Sequence, residues 1–224
     1  SNPAAHDFGS DGAKTLYVQF KDAAGNISQT YSDTVTVDLT VPSVTGVTTS
    51  KANGAYGAGE SIDISLSFSE VVNVTGTPQL NLNVGGSNPK ANYVSGTGTD
   101  NLTFSYTVQS GDNSADFDYL DTSALDLNGG TILDVAANSS NLTLVDPGTL
   151  NSISDDKAIV IDTTAPAAFN ITSPANDARM NTAPTISWSA SSDQSSFSYN
   201  LSIATVSGCA SGVVQTFPSI DSST

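Results

Sequence analysis

Carboxylates and amides at turns are the residues of this chain best placed to do chemistry. Asp22 and Asn26 bracket a tight Ala-Ala-Gly turn and can present two side-chain oxygens in one direction. Asp38 closes one apolar strand and Asp162 another, each four residues before a proline. Asp112, Asp116, Asp118 and Asp121 crowd one loop, and Asp134 lies farther on. Hard oxygen donors in such groups suit calcium, which takes about six to eight oxygens at roughly 2.3–2.6 Å from carboxylates, amides and backbone carbonyls. Asp22, Asn26, Asp38, Asp112, Asp116, Asp118 and Asp162 are therefore the candidate metal ligands. A local role competes at every one of them, because Asp and Asn side chains cap their own backbone in turns. The spacing is not that of an EF-hand. The later stretch Asp134-Val135-Ala136-Ala137-Asn138 copies the Asp22 pattern but has Ala137 where the first has Gly25, which argues against a site at Asp134.

The charge balance points the same way. Six Lys plus Arg stand against 22 Asp plus Glu among 224 residues, a formal net charge of −16. Such an excess keeps a chain soluble but strains its compact state by self-repulsion unless cations bind. It also excludes nucleic acid and anionic membrane surfaces as partners, since those need a basic face. No apolar run is long enough to insert in a membrane as a helix. A single Cys suits an extracellular bacterial protein without disulfide staples.

The residues that enzymes need are missing from the pattern. His6 is the only histidine, so a Ser-His-Asp triad would have to use it and a His-rich zinc site cannot form. There is no Gly-x-Ser-x-Gly elbow, phosphate loop or His-Glu-x-x-His. Cys209 has no base beside it in the sequence and reads as a buried thiol or a pairing partner rather than a nucleophile. No enzyme is expected.

The elements that must position the carboxylates are strands. Ile62, Ile64, Leu66 and Phe68 alternate with polar residues, which gives a pleated ribbon one apolar and one wet face. The same period recurs at Leu16-Val18-Phe20, Leu80-Leu82-Val84, Leu102-Phe104-Tyr106-Val108 and Phe197-Tyr199-Leu201-Ile203. Asn-Gly, Gly-Gly and Pro-Gly clusters separate these runs. Only Asp116–Leu127 admits a short helical turn, and it reads equally well as a loop. The expected fold is all-β, built of antiparallel sandwiches. Strand alternation puts Trp188 in a core, together with most of Tyr56, Tyr93, Phe117 and Tyr119, the aromatics that a binding tip could otherwise display.

An internal repeat divides the chain. Val37-Asp38-Leu39-Thr40-Val41-Pro42 and Ile161-Asp162-Thr163-Thr164-Ala165-Pro166 lie about 124 residues apart, and each ends an apolar strand with an Asp, a Thr and a proline that cannot donate to a ladder. They read as stiff inter-domain joints. The parts are then residues 1–38, the C-terminal part of one domain; 39–162, a complete sandwich; and 163–224, the N-terminal part of another. The outer parts hold too few strands to bury a sheet face alone. Either the chain is an excerpt, the favoured reading, or the C-terminal part of one molecule completes the N-terminal part of the next.

The stretch Gly12-Ala13-Lys14-Thr15-Leu16-Tyr17-Val18-Gln19-Phe20-Lys21-Asp22-Ala23-Ala24-Gly25-Asn26, followed by the strand into Asp38 and Pro42, resembles the end of a bacterial immunoglobulin-like domain. Asn53–Glu60 and Asp116–Ile132 carry a similar likeness for the middle domain. Ile186-Ser187-Trp188-Ser189 with Tyr199–Ile203 resembles the first half of a fibronectin type III-like domain. Such domains occur in tandem in large surface adhesins. The resemblance implies immunoglobulin-like sandwiches, extracellular or cell-surface display, rod-like stacking on neighbouring domains of the same or an adjacent chain, and calcium within or between domains. It leaves open an adhesive tip that binds a glycan or receptor, or an accessory domain of a secreted hydrolase.

Overall fold

The computed structural model describes residues 8–86, 89–204 and 213–220. His6 and Cys209, singled out above, lie outside them. The described chain is β-structure throughout apart from one short helix. A two-stranded antiparallel hairpin comes first, β1 (Gly12–Val18) with β2 (Tyr31–Val37). The central region follows with β3 (Val44–Thr49), β4 (Gly54–Tyr56), β5 (Ser61–Thr75), β6 (Gln79–Asn81), β7 (Lys90–Ser95) and β8 (Thr99–Thr107). It continues through β9 (Asn113–Ser114), β10 (Leu125–Asp126), β11 (Thr131–Leu133), helix α1 (Ile153–Asp156) and β12 (Ile159–Asp162). The last part contains β13 (Ile171–Ser173) paired with β14 (Ser187–Trp188), and β15 (Tyr199–Ala204) paired with β16 (Val213–Ile220).

In the central region a seven-stranded sheet of order β10-β6-β7-β8-β5-β11, with β3 also on β5, combines with a three-stranded sheet β4-β12-β9. Register explains the core. Ile62, Ile64 and Leu66 of β5 sit opposite Tyr106, Phe104 and Leu102 of β8, so all six share one face and all are buried. The second sheet contributes Ile159 and Ile161, both fully buried in the same apolar cluster. Phe117 and Tyr119 are buried there too, while Tyr56 and Tyr93 pack against the cluster from its edge. The aromatics of this region are structural. Burying a side chain of this size is worth about 1.5–3 kcal/mol, which is why alternation this regular forces a single register.

Two features depart from the expected fold. The β4–β12 pair is parallel rather than antiparallel. More than a hundred residues separate these strands, so no hairpin dictates their direction. The Asp116–Leu127 stretch takes the loop alternative and ends in β10, and the unexpected element is the helix at Ile153–Asp156, where the Ser152 side chain accepts from the Asp155 amide. Trp188 is half-buried, its ring 5.1 Å from that of Tyr199.

Candidate metal centre at a joint

The two Asp-x-x-x-Asn stretches fold into the same turn. At Asp22 one carboxylate oxygen accepts from the amides of Ala24 (3.0 Å) and Asn26 (2.8 Å), and the other accepts from Asn26 Nδ2 (2.8 Å). At Asp134 the Asn138 amide (2.8 Å) and Asn138 Nδ2 (2.7 Å) donate in the same arrangement. The flanking ladder also matches, with a bridge between Lys21 and Ile27 in one and between Leu133 and Ser139 in the other. The turn needs a left-handed residue before its Asn. Gly25 supplies φ 95° and Ala137 adopts φ 71°. Ala137 thus takes the left-handed backbone that Gly25 takes in the first turn, and the hydrogen bonds between Asp134 and Asn138 hold it there against the modest cost of a Cβ in that region.

Around the second turn a cluster of carboxylates assembles. Asp38, at the end of β2, Glu70, on β5, and Asp134 each bring a carboxylate oxygen within 4.8 Å of the others. Asp134 is buried at 4% exposure, and Asp38 and Glu70 are half-buried. Asn138 ties the turn to the joint, its Nδ2 donating to the backbone carbonyls of Asp38 (3.0 Å) and Thr40 (3.3 Å). Asp11 stands beside them and accepts from the Leu39 amide and the Thr40 hydroxyl.

The electrostatics are those of a site short of positive charge. Oε1 of Glu70 is shielded from solvent and has no hydrogen-bond partner among the described residues. Loss of hydration first, then repulsion from Asp38, Asp134 and Asp11, pushes the Glu70 carboxyl above its ordinary value. Burial presses Asp134 upward as well, but the donors of Asn138 and the amides of Ala136 and Ala137 outweigh it and hold that carboxyl low. The three ion pairs among the described residues, Lys51–Glu60, Lys90–Asp126 and Lys157–Asp156, all lie elsewhere. A set of hard, anionic oxygens with an unpaired shielded one among them fits a divalent cation such as calcium.

The other candidates from the sequence do not join this cluster. Asp112 is buried, accepting from the Tyr106 hydroxyl and the Gln109 amide (2.8 Å). Asp118 is buried and ties a loop to α1, accepting from Ser154 Oγ (2.6 Å) and the amides of Tyr119 and Gly148. Asp116 is exposed, and partial burial with the nearby Asp118 charge raises its carboxyl. Asp22 and Asn26 bond to each other. At the second joint Asp162 accepts from the amides of Thr164 (3.0 Å) and Ser195 (3.0 Å), much as Asp38 accepts from the Thr40 amide (3.2 Å). Of the seven, only Asp38 belongs to the carboxylate cluster.

Glu70 was missed by the sequence reading although a signal existed. It occupies the core-facing parity of β5, between Phe68 and Val72, where a charged residue breaks an apolar alternation.

No family model, no curated protein and no solved structure matches this chain.

Proposed function

We propose that the chain is a non-enzymatic structural segment of an extracellular stalk of tandem immunoglobulin-like β-sandwiches, stiffened by calcium at its joints. The observation that carries the reading is the meeting of Asp38, Glu70 and Asp134 where β2 runs into the central sandwich. A flexible tether gains nothing from concentrating negative charge at its hinge, because repulsion there opposes the folded geometry. A cation reverses the sign: it binds the assembled joint and not the separated strands, so it stabilises the folded geometry by mass action. Asp38 would supply oxygen from the joint, and Glu70 and Asp134 from the sandwich, so the ion would fix one against the other. The stiff Asp-x-Thr-x-Pro segment, repeated at Asp162–Pro166, supports a rod of successive domains. The burial of Phe117 and Tyr119 favours the stalk over an adhesive tip, which needs exposed aromatic anchors.

Calorimetric titration of the chelator-stripped chain with calcium tests the reading. The expected result is saturable binding and a rise in the unfolding midpoint, both lost in Asp134→Asn. A midpoint indifferent to calcium would return these carboxylates to turn duty.

A further inference from the structure

The chain contains two Asn-Gly pairs, Asn53-Gly54 and Asn128-Gly129, and the fold treats them in opposite ways. Asn is a chemically labile residue, and a following glycine exposes it to attack from its own backbone. Glycine has no Cβ to hinder its amide nitrogen, which stands next to the Asn carboxamide. Attack then depends on whether that nitrogen is free and whether the backbone around it can turn.

At Asn53 neither condition is met. The Gly54 amide donates to the Ala158 carbonyl (3.0 Å), and the Ala158 amide donates back to Asn53 Oδ1 (3.1 Å). Gly54 also opens β4, whose partner β12 carries the fully buried Ile159 and Ile161. Freeing this amide means parting a strand from the core.

At Asn128 the constraints are few. Leu127–Gly130 is a tight turn closed by the Gly130 amide on the Leu127 carbonyl (2.8 Å). Asn128 and Gly129 are exposed at φ 49° and 78°, the left-handed pair that Asn-Gly adopts readily. The Gly129 amide has no hydrogen-bond partner among the described residues, and a Cβ on Gly129 would meet no atom within 4 Å. The Asn128 carboxamide is held by Nδ2 donating to the Thr77 carbonyl, at 3.2 Å.

We propose that Asn128-Gly129 is a site of spontaneous covalent modification and that the fold protects the identical pair Asn53-Gly54. The Gly129 nitrogen bonds to Cγ of Asn128 and the Cγ–Nδ2 bond breaks. Nδ2 leaves as ammonia with the proton that the Gly129 amide gives up. Water then opens the cyclic imide, its hydroxyl going to a ring carbonyl and its proton to the ring nitrogen. Opening at the backbone carbonyl leaves isoaspartate, whose main chain runs through the side chain and is longer by a carbon; opening at Cγ leaves aspartate.

The turn has no room for the longer main chain. A Cβ on Gly130 would come 2.1 Å from the Thr75 carbonyl oxygen, and one on Gly76 would come 2.8 Å from Gly130 Cα. The turn therefore has to part from the β5–β6 connection. β11 follows at once, pairs with β5 and runs into Asp134, so conversion loosens the strand that delivers that carboxylate. None of this rests on the calcium reading.

Incubation of the full chain in mildly alkaline buffer, folded and in urea, followed by peptide mapping, is the experiment. In urea the two pairs convert at similar rates, because only the sequence acts there. In the folded chain Asn128 converts at least about tenfold faster than Asn53, the factor that opening one hydrogen bond imposes. Asn128→Gln stops the accumulation of the more acidic form. The isoaspartyl form unfolds at a lower temperature than Asn128→Asp, which has the new charge without the longer main chain. Equal rates in the folded chain, or a faster Asn53, would overturn the assignment of the site. An isoaspartyl form as stable as Asn128→Asp would overturn the loosening of β11.

Discussion

The turns at Asp22–Asn26 and Asp134–Asn138 share their backbone, their side-chain hydrogen bonds and their place at a strand end, yet one lies in solvent and the other under a joint. The local pattern Asp-x-x-x-Asn is enough to make the turn. It is not enough to make a site. Asp134 becomes one of a cluster only because β2 delivers Asp38 and β5 delivers Glu70 to the same place. Asp22 has the same chemistry and no such neighbours among the described residues. The carboxylate cluster is a property of the assembled fold rather than of the turn that contributes to it.

The same contrast orders what substitutions should do. Ile161→Ala removes a fully buried side chain from the central core and is expected to cost about 2–5 kcal/mol, whereas Val35→Ala, at an exposed position of the hairpin, costs less than about 1 kcal/mol. Urea denaturation of both variants measures this, and equal losses would show that Val35 is covered. Asn138→Ala strips a donor from Asp134 and from two joint carbonyls and should cost about 1–3 kcal/mol; Asn26→Ala, whose released groups face water, should cost less than about 1 kcal/mol.

Glu70 should change sign with the cation. Without calcium its ionised carboxylate is disfavoured, so Glu70→Gln raises the midpoint at neutral pH; with calcium the same change lowers it. The pH dependence follows. Because the folded-state value of Glu70 lies above the ordinary 4.5, acidification from neutrality restores stability, and the gain is complete below 4.5. Asp22 and Asp134 lie below the ordinary 3.8, so the stability they contribute is present above that value and is lost as pH falls through their depressed values. Thermal melts in chelator should therefore rise on the way to about pH 4.5 and fall below about pH 3.8, with the rise smaller in Glu70→Gln, where only the raised Asp116 carboxyl still contributes to it.

The smallest effect belongs to the left-handed position. Ala137→Gly should stabilise by up to about 1 kcal/mol, and Gly25→Ala should destabilise by about the same amount in the hairpin. Chemical denaturation followed at each turn by NMR resolves the two, and an indifferent Ala137→Gly would mean the surrounding bonds hold the backbone without strain.

Much of this architecture could be read from the chain itself. Alternation in β5 and β8 is regular because each strand has one face in the core, so type and facing were legible from Ile62 to Val108. The ends of β2 and β12 were legible because proline and Asp leave a chemical mark where pairing ends. The parallel β4–β12 pair was not, since strands a hundred residues apart carry no local sign of direction. Helix α1, one turn nucleated by Ser152, is too short for a period to show. The carboxylate cluster joins Asp38, Glu70 and Asp134 across nearly a hundred residues, and proximity of that kind is written only in the fold. Its one local trace was a glutamate in a core-facing position, beside Phe68.

The parallel pairing of β4 with β12 also determines how the central sandwich answers a pull on its two ends. Tension enters through the chain before β3 and leaves through Asp162, dragging β4 from its start and β12 from its end. In a parallel pair those two pulls run in opposite directions along the strands. The contacts linking Gly54, Ala55 and Tyr56 to Ile159, Val160 and Ile161 are therefore loaded in shear and must fail together, not one at a time like a zip. Pulling single molecules by these two ends should give one tall rupture peak, and a low, gradual extension would show that β3 and β4 peel away first. Topology alone sets these strands to resist such a pull as one unit.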